Sequence, residues 1–346
     1  MESFSSYNGK GITGLANLGN TCFVNATLQC LSHTYELNDV LKDKKYKNNL
    51  NKKPASLILV EWDKLREMMW SENCIISPGG FISSVQRVAK LKNKHIFTGF
   101  AQNDLPEFVV FVIECFHTSI LREVEMKITG NIVTDKDKLA SKCFEMMQTM
   151  YKKEYSEFLK MFYGIHVSNI LSVNDNNIIT STPEPYNIIS LPIPNDTENI
   201  TLYDCFNLYT EKEKMEGENA YYNDTLQKKV DAFKEIKFWS FPDILIMDLK
   251  RFTNTNQKND KNVDFPLDNL DLSQYVIGYD RKSYIYDLYG ICNHSGNVFG
   301  GHYTSFVKLA NNTWWHFNDA STSEIKDLKT LKGPEAYCFF YRKRKQ

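Results

Sequence analysis

The sequence carries almost no net charge. Its 41 lysines and arginines face 42 aspartates and glutamates, so the formal charge is -1. A chain without an excess of one sign creates no overall field that would attract nucleic acid or an anionic membrane surface. The one basic cluster, Arg342 to Lys345, is typical of a solvated chain end. We therefore expect no nucleic-acid partner.

Long apolar runs and paired cysteines are also missing. The longest unbroken apolar run, Phe108 to Ile113, is far below the ~18 residues that span a bilayer. No two of the eight cysteines are separated by only two residues, as the ligands of a zinc knuckle would be. A chain of 346 residues needs no disulfide staples, and no leader peptide follows Met1. These absences predict a soluble protein in a reducing intracellular setting, cytoplasmic or nuclear, without membrane contact.

Hydrophobic periodicity predicts helices in the first half of the chain. Helical spacing follows Asn20 and recurs over residues 55–70 and 138–162. Asp104-x-x-Glu107 is a capping box that opens another apolar stretch. Residues 1–10 are polar, and we expect them to be flexible.

The second half changes to the period of strands. Between the two halves, residues 165–235 are rich in Asn, Thr and charge and have poor periodicity, which fits either an extended subdomain or an insertion. Strand patterns follow in five short segments: 244–252, 284–293, 302–309, 313–317 and 336–342. No linker is long enough to divide the chain into independent domains. The pattern predicts an α+β fold.

Cys22 is a candidate nucleophile. It follows a glycine-containing loop at the predicted first turn of a helix, where unpaired N–H groups favour the thiolate, lower the thiol pKa and can hold an oxyanion. A free cysteine is also commonly a small buried apolar residue. This segment alone does not decide between the two interpretations.

His302 is a candidate general base. It follows Gly300 and Gly301, which let the backbone approach a substrate closely, although a histidine at a strand end is commonly structural. A catalytic imidazole needs an orienting acceptor, and Asn318 and Asp319 follow the next predicted strand. The chain order of Cys, His and Asn or Asp is that of papain-like proteases.

Several segments together resemble the ubiquitin-specific protease family, in order and over about residues 11–342. The cysteine box of that family is similar to GLANLGNTCFVNATLQCL (14–31). Its histidine box is similar to GICNHSGNVFGGHYTSF (290–306), WWHFND (314–319) and AYCFFYR (336–342). Between the boxes lie three further matching segments: AQNDLPEF (101–108), DILIMDLKRF (243–252) and VDFP (263–266).

The resemblance implies roles for individual residues. Cys22 matches the nucleophile and His302 the base. Asn318 matches the third member of the triad, and the adjacent Asp319 is the alternative for that role. Asn17, five residues before the cysteine, matches the side-chain donor of the oxyanion hole, and it is also a turn-former in its own right.

The resemblance also implies a substrate-binding group made of Gln102, Asp104, Gly301 and Tyr303. Asp104 matches a carboxylate that meets the basic tail of ubiquitin, a role compatible with an N-cap whose second oxygen points outward. Tyr303 and Trp315 are expected to serve packing more than chemistry.

The fold implied is papain-like, with a thumb (about 11–160), fingers (about 163–240) and a palm (about 241–346) in one catalytic domain over 11–346. Many family members bind zinc through two Cys-x-x-Cys pairs in the fingers. The matching positions here are Val173 and Asn176, and Asn223 and Leu226. We therefore expect no metal and no cofactor.

The implied reaction is thiol-dependent hydrolysis of the bond after the C-terminal glycine of ubiquitin, with ubiquitin and ubiquitinated proteins as partners of a monomer. Two alternatives differ in class from this. One is a protease for another ubiquitin-like modifier. The other is an inactive ubiquitin-binding scaffold, whose relatives usually lack the Cys or the His that this sequence retains.

Overall fold

The computed structural model describes residues 4–99, 101–195, 198–252, 257–297 and 300–345. Residues 1–3 of the segment expected to be flexible, and Val298 and Phe299 of the histidine box, lie outside this range. The helices within it are α1 (Cys22–Ser32), α2 (Tyr35–Lys42), α3 (Ser56–Ser71), α4 (Gly79–Leu91), α5 (Leu105–Ser119), α6 (Asp135–Glu154), α7 (Glu157–Phe162) and α8 (Leu202–Tyr209). None of these helices is both long and apolar enough to cross a membrane.

The strands of the described residues follow mainly in the second half of the chain. They are β1 (Gly14–Leu15), β2 (Ile75–Ile76), β3 (Gly164–Ser172), β4 (Ile178–Tyr186), β5 (Ile189–Leu191), β6 (Ile200–Thr201), β7 (Glu213–Met215), β8 (Tyr221–Asn223), β9 (Lys228–Val230), β10 (Ala232–Ser240), β11 (Ile244–Leu249), β12 (Val263–Asp264), β13 (Leu270–Asp271), β14 (Ile285–Asn297), β15 (Gly300–Lys308), β16 (Trp314–Asn318), β17 (Ser321–Ile325) and β18 (Ala336–Lys343).

Most of the late strands form one central sheet. Its order is β17-β16-β15-β14-β18-β11-β5, with β13 paired to β14. Neighbouring strands are antiparallel except β11 and β5, which are parallel. All five strands predicted from the sequence lie in this sheet, so the strand predictions are confirmed.

The central sheet is buried on both faces around β11. Ile244 and Ile246 pack into the core shared with the helices, while Leu245 and Met247 pack into a second core on the opposite side. Side chains alternate between the two faces of a strand, so a strand covered on both sides reads as a continuous apolar run. This burial explains why the segment has no alternating pattern in the sequence.

Helix α1 is the centre of the helical half, which comprises α1 to α7. All eleven of its residues are buried, because it lies between the central sheet and the other helices. Phe23 meets Phe108 of α5 edge to face, with ring centroids 5.2 Å apart. The predicted helices after Asn20, at 55–70 and after Asp104 are confirmed as α1, α3 and α5. Residues 138–162 are helical as predicted but divide into α6 and α7.

Residues 165–235 contain a second sheet, which we call the extended sheet. Its order is β4-β3-β10-β7, and α6 packs on it through Ala140 and Cys143, which contact Val167 and Trp239. Most side chains of β4 are exposed. A sheet with little buried surface produces no clear hydrophobic alternation, which accounts for the weak sequence signal.

The start of the chain packs on α2. Phe4–Tyr7 forms a 3-10 helix, and the rings of Phe4 and Tyr7 lie 4.6 and 4.4 Å from that of Tyr35. The hydroxyl of Tyr7 donates to Asp39 Oδ1 at 2.9 Å. The flexibility of residues 1–10 stays a prediction.

The basic cluster near the end of the chain is not simply solvated either. Arg342 belongs to β18, forms an ion pair with Glu36 at 2.8 Å, and places its guanidinium over the rings of Tyr35 and Tyr289. Arg344 pairs with Asp287. The expectation of a solvated end is therefore wrong for Arg342, since the strand continues through it, whereas Arg344 is exposed.

Gly290 sets the distance between α1 and the central sheet. A Cβ at this position would lie 2.9 Å from Cys30 Sγ, whereas a Cβ at Gly333 would meet nothing within 4 Å. We predict that Gly290→Ala lowers the free energy of unfolding by about 1–3 kcal/mol, because the extra methyl overpacks this contact. Gly333→Ala is the matched control and should change it by less than about 0.5 kcal/mol. Equal urea midpoints for the two variants would contradict the prediction.

Candidate active site

The loop before α1 is shaped by hydrogen bonds from its own side chains. Asn17 Oδ1 accepts from the backbone N–H groups of Gly19 and Thr21 at 3.0 and 3.2 Å. Thr21 Oγ1 accepts from Leu18 N at 2.9 Å instead of capping the helix. Gly19 adopts a positive φ of 99°. This turn starts the helix at Cys22 and leaves its first-turn N–H groups without a side-chain cap from Thr21, as an oxyanion site requires.

Cys22 lies at the first position of α1 and is only 2% exposed. Burial raises the pKa of its thiol, and the negative charge of Asp319 raises it further, against a backbone hydrogen bond from Tyr303 that lowers it. This direction is opposite to the lowering expected from the sequence. The helix start offers favourable N–H groups, but the cost of placing a charge in a buried site is larger.

His302 lies on β15, and its side chain is 40% exposed. Its Nε2 donates to Asn318 Oδ1 at 2.7 Å. The pairing of β15 with β16 runs from Ser305↔Phe317 outward, so His302 and Asn318 are diagonal neighbours on one face of the sheet. The remaining ring nitrogen, Nδ1, is then free of this bond and available for a thiol proton.

Asp319 faces the same site because the strand has already ended. β16 closes at Asn318, which pairs with Ser321, and Asp319 has a left-handed φ of 50° in the intervening two-residue turn. Its Oδ2 lies 4.0 Å from His302 Nε2, beyond hydrogen-bonding distance. Between the two candidates for orienting the imidazole, only Asn318 contacts it directly.

The carboxylate of Asp319 instead accepts hydrogen bonds from two asparagines of the helical half. Asn17 Nδ2 donates to Oδ2 at 2.9 Å, and Asn25 Nδ2 donates to Oδ1 at 2.8 Å. A Cβ on Gly14 would lie 2.3 Å from the carbonyl oxygen of Ala320, which shows how closely the loop before Cys22 approaches this turn. Asp319 therefore orients the amide of Asn17 and leaves its second N–H available.

Asn25 was missed by sequence reasoning. It is three residues after Cys22 and only 2% exposed. Buried polar side chains are normally hydrogen-bonded. An asparagine inside an apolar helix was therefore a usable signal, but its partner on a distant turn was not evident from the sequence.

The residues expected to bind substrate are engaged within the protein. The side-chain amide of Gln102 forms two hydrogen bonds with the backbone of Gly301. Asp104 caps α5 by accepting from Glu107 N at 3.1 Å, as predicted. Its second oxygen was expected to point outward, but it accepts from the hydroxyl of Tyr337 at 2.6 Å. That expectation is wrong here, because the largely buried Tyr337 needs an acceptor for its hydroxyl.

Tyr303 and Trp315 serve packing, as expected. Tyr303 is 5% exposed, and its ring lies 4.7 Å from that of His294. Trp315 packs at the edge of the main core. The contribution of Tyr303 to the site is its backbone, which contacts the Cys22 thiol.

The positions that match zinc ligands in other family members lie in two hairpin turns. Asn176 Oδ1 accepts from Lys212 Nζ at 3.0 Å in the turn after β3. Asn223 Oδ1 accepts from the backbone N–H groups of Thr225 and Leu226, each at 3.0 Å, in the turn after β8. Amide side chains thus hold both turns. Across the described part of the chain, no group of three His, Cys, Asp or Glu side chains is arranged to hold a metal ion.

Comparison with protein families identifies the family of this chain. The family model described as ubiquitin carboxyl-terminal hydrolase matches residues 13–341. The chain belongs to the ubiquitin carboxyl-terminal hydrolase family. This finding confirms the resemblance to the ubiquitin-specific proteases, and it places Cys22 and His302 within the matched region.

Individual relatives agree over nearly the whole chain. Ubiquitin carboxyl-terminal hydrolase 2 of Gallus gallus is 31% identical over 341 residues, which cover 96% of this chain and 93% of that protein. The Bos taurus hydrolase 2 is 30% identical, with coverage of 98% of this chain and 56% of the relative. Ubiquitin carboxyl-terminal hydrolase 21 of Homo sapiens is also 30% identical, with coverage of 96% and 62%. The chain thus spans little more than half the length of these two mammalian relatives.

Solved structures match the fold. A chain of the SAGA DUB module Ubp8/Sgf11/Sus1/Sgf73 bound to ubiquitin aldehyde is similar with a TM-score of 0.72 and 25% identity, over 100% of this chain and 72% of that chain. A SAGA DUB module with Ubp8 bound to monoubiquitin gives 0.71 and 26%, over 97% and 70%. The predicted α+β, papain-like fold of the ubiquitin-specific proteases is therefore confirmed.

The contacts of Asn318 and Asp319 predict that alanine substitutions at these two positions shift the pH of Cys22 alkylation in opposite directions. Asn318→Ala leaves His302 unoriented, so kcat should fall and alkylation of Cys22 should require higher pH. Asp319→Ala removes a negative charge near the thiol, so alkylation should shift to lower pH. The same change releases Asn17, the candidate oxyanion donor, and loss of such a donor typically costs about 10²–10³ in kcat. A fluorogenic ubiquitin amide and pH-dependent alkylation measure the two effects.

Asn311→Ala is the matched control, since Asn311 lies in the turn between β15 and β16 and bonds only to Thr313 in the contacts described. It should leave both measurements unchanged. If Asp319→Ala alone destroys activity and shifts alkylation to higher pH, while Asn318→Ala resembles the wild type, the two roles must be exchanged.

The two asparagine-held turns predict that stability is independent of zinc. Incubation with a chelator should leave the melting temperature unchanged, because these turns offer no thiolates to a metal. Elemental analysis of the untagged protein is the second measurement. Stoichiometric zinc, or a fall in melting temperature that added zinc reverses, would contradict the prediction.

Proposed function

We propose that this chain is a thiol-dependent deubiquitinase that hydrolyses the isopeptide or peptide bond after the C-terminal glycine of ubiquitin. The observation that carries the proposal is the His302–Asn318 hydrogen bond of 2.7 Å, next to Tyr303, whose backbone contacts the Cys22 thiol, in a chain of this family. We assign Cys22 as nucleophile, His302 as general base and acid, Asn318 as its orienting group, and Asn17 as oxyanion donor. Asp319 is a positioning residue that holds Asn17.

The reaction begins with transfer of the Cys22 proton to His302 Nδ1. Because burial raises the pKa of this thiol, the thiolate is a minor species in the free enzyme and forms as the imidazole accepts its proton. The sulfur then attacks the carbonyl carbon after the terminal glycine, and the electron pair of the C=O bond moves to oxygen. The oxyanion lies at the start of α1, where Asn17 and first-turn N–H groups donate to it.

Collapse of this intermediate breaks the C–N bond. His302 gives its proton to the leaving amine, and ubiquitin remains attached to Cys22 as a thioester. His302 then takes a proton from water, which attacks the thioester carbonyl. Expulsion of the thiolate and its reprotonation release ubiquitin with a free carboxylate. Every step uses side chains of the protein, so the proposal requires no metal and no cofactor.

The choice of ubiquitin as substrate is supported by the solved neighbours, which were bound to ubiquitin aldehyde or monoubiquitin. We propose one catalytic domain over residues 11–346, with a thumb at about 11–160, fingers at about 163–240 and a palm at about 241–346. Ubiquitin and ubiquitinated proteins are its partners, and the enzyme acts as a monomer inside the cell. All eight cysteines are free thiols, in keeping with a reducing setting.

We predict that Cys22→Ala abolishes hydrolysis of a ubiquitin C-terminal fluorogenic amide without unfolding the protein. His302→Ala should lower kcat by about 10²–10⁴-fold, as the loss of a general base does. Cys74→Ala is the matched control, because Cys74 is the only one of the eight cysteines that is not buried. It should retain full activity.

A panel of electrophile probes tests together which modifier the protein recognises and whether Cys22 is reactive. Each probe carries the C-terminus of ubiquitin or of another ubiquitin-like modifier, and the labelled residue is identified by mass spectrometry. We expect the ubiquitin probe to label Cys22 fastest. Preference for another modifier would overturn the substrate assignment, and absence of labelling in folded protein would favour the inactive scaffold.

A further inference from the structure

The side chain of Gln102 bridges the helical half and the central sheet next to His302. Its Nε2 donates to the carbonyl oxygen of Gly301 at 2.6 Å, and its Oε1 accepts from the N–H of Gly301 at 2.8 Å. Both polar atoms of the amide thus bond to one backbone residue, as a neighbouring strand would. Gly301 immediately precedes the candidate general base, so this amide binds the residue next to His302.

Gly301 lies at a part of β15 that lacks a neighbouring strand on one side. β15 pairs with β14 as far as Gly300, but its pairing with β16 extends only from Ser305 to Lys308. The amide of Gln102 fills the place of the missing strand at Gly301. On one face of the sheet, a Cβ at Gly301 would lie 2.2 Å from His294 Nε2. The residue before His302 therefore contacts the Gln102 amide at the strand edge and lies against a ring on one face.

A third hydrogen bond joins the same two parts of the protein. Asp104 Oδ2 accepts from the hydroxyl of Tyr337 on β18 at 2.6 Å. Gln102 and Asp104 are two residues apart, so the short segment before α5 is fixed to the central sheet at two points. We call the contacts of Gln102 and Asp104 with the central sheet the helix–sheet tie. Helix α5 in turn packs on Phe23, the residue after Cys22, through Phe108.

We propose that Gln102 is a positioning residue for the reaction, and that it acts by holding Gly301 and so fixing His302 relative to Cys22. The proposal rests on the proposed function, and it replaces the expected role of Gln102 in substrate binding. The donor and the acceptor on one edge of this amide are both used within the protein, so the contact that the structure gives Gln102 is with Gly301. Misplacing a reacting group by about 1 Å can cost about 10²-fold in rate, so a small contact at this position has a large effect.

Gln102→Ala tests the proposal through the division of its effect between kcat and KM. We expect kcat to fall about 10²-fold while KM stays within about threefold, because the lost contact positions His302 and does not bind the substrate. The melting temperature should be nearly unchanged. Gln86→Ala is the matched control, since Gln86 Nε2 bonds Gly99 O at 3.2 Å, in the same loop but without reaching the sheet. It should retain wild-type kcat and KM.

Gln102→Glu adds a signature that a merely structural role would not show. An ionised carboxylate keeps the acceptor for Gly301 N–H but faces the Gly301 carbonyl without a donor, whereas the protonated acid offers both groups. The ratio of variant to wild-type kcat should therefore rise as pH is lowered from 8 towards 5.5. Gln102→Ala, which cannot regain either bond, should show a constant ratio over the same range.

The outcomes separate this proposal from its alternatives. A rise in KM with unchanged kcat would return Gln102 to substrate binding, and a fall in KM would mean that it competes with the substrate for Gly301. Wild-type kinetics would show that the tie is dispensable. Alkylation of Cys22 by iodoacetamide across pH, measured without ubiquitin, should also shift in Gln102→Ala. That readout tests the tie even if the wild-type protein fails to hydrolyse the ubiquitin amide, an outcome that would overturn only the proposed function.

Discussion

Two asparagine side chains before and within α1 donate hydrogen bonds to one carboxylate at a turn of the central sheet. The position of Cys22 relative to His302 depends on these hydrogen bonds. Asn17 and Asn25 donate to Asp319 from either side of Cys22 in sequence, while Asn318, next to Asp319, accepts from His302. The turn therefore sets the position of the nucleophile's loop and the orientation of the base together. A shift of this turn moves both.

This arrangement has an electrostatic consequence for the thiol. The side chain of Asp319 is 15% exposed, and the side-chain hydrogen bonds described for it come from neutral amides. Its negative charge adds to burial in raising the pKa of Cys22. In the proposed mechanism, Asp319 therefore holds the oxyanion donor Asn17 but disfavours the thiolate of Cys22. The proposed acceptance of the thiol proton by His302 offsets this effect, so the base would matter at the first step as well as at the departure of the amine.

Local patterns in the sequence were sufficient to predict helices and strands, but they were insufficient to predict the contacts between these elements. The cap at Asp104 and the buried strand at Ile244–Leu249 follow from neighbouring residues alone, whereas the sequence left the orienting group open between Asn318 and Asp319. The partners of Gln102 and Tyr337 could not be inferred, because each contact joins residues far apart in the chain. The thiol pKa was misjudged for the same reason: the helix start is a local feature, whereas burial and Asp319 are products of the whole fold.

The strength of these contacts bears on how activity and stability are related in this protein. The cores that join the helices to the central sheet contain dozens of buried side chains, whereas the alignment of the site depends on a few polar contacts at its edge. A typical hydrogen bond contributes only about 0.5–1.5 kcal/mol to stability. Removing one therefore leaves the fold intact but releases a group whose placement controls the rate. It follows that edge residues such as Gln102 can affect turnover strongly while scarcely changing the melting temperature.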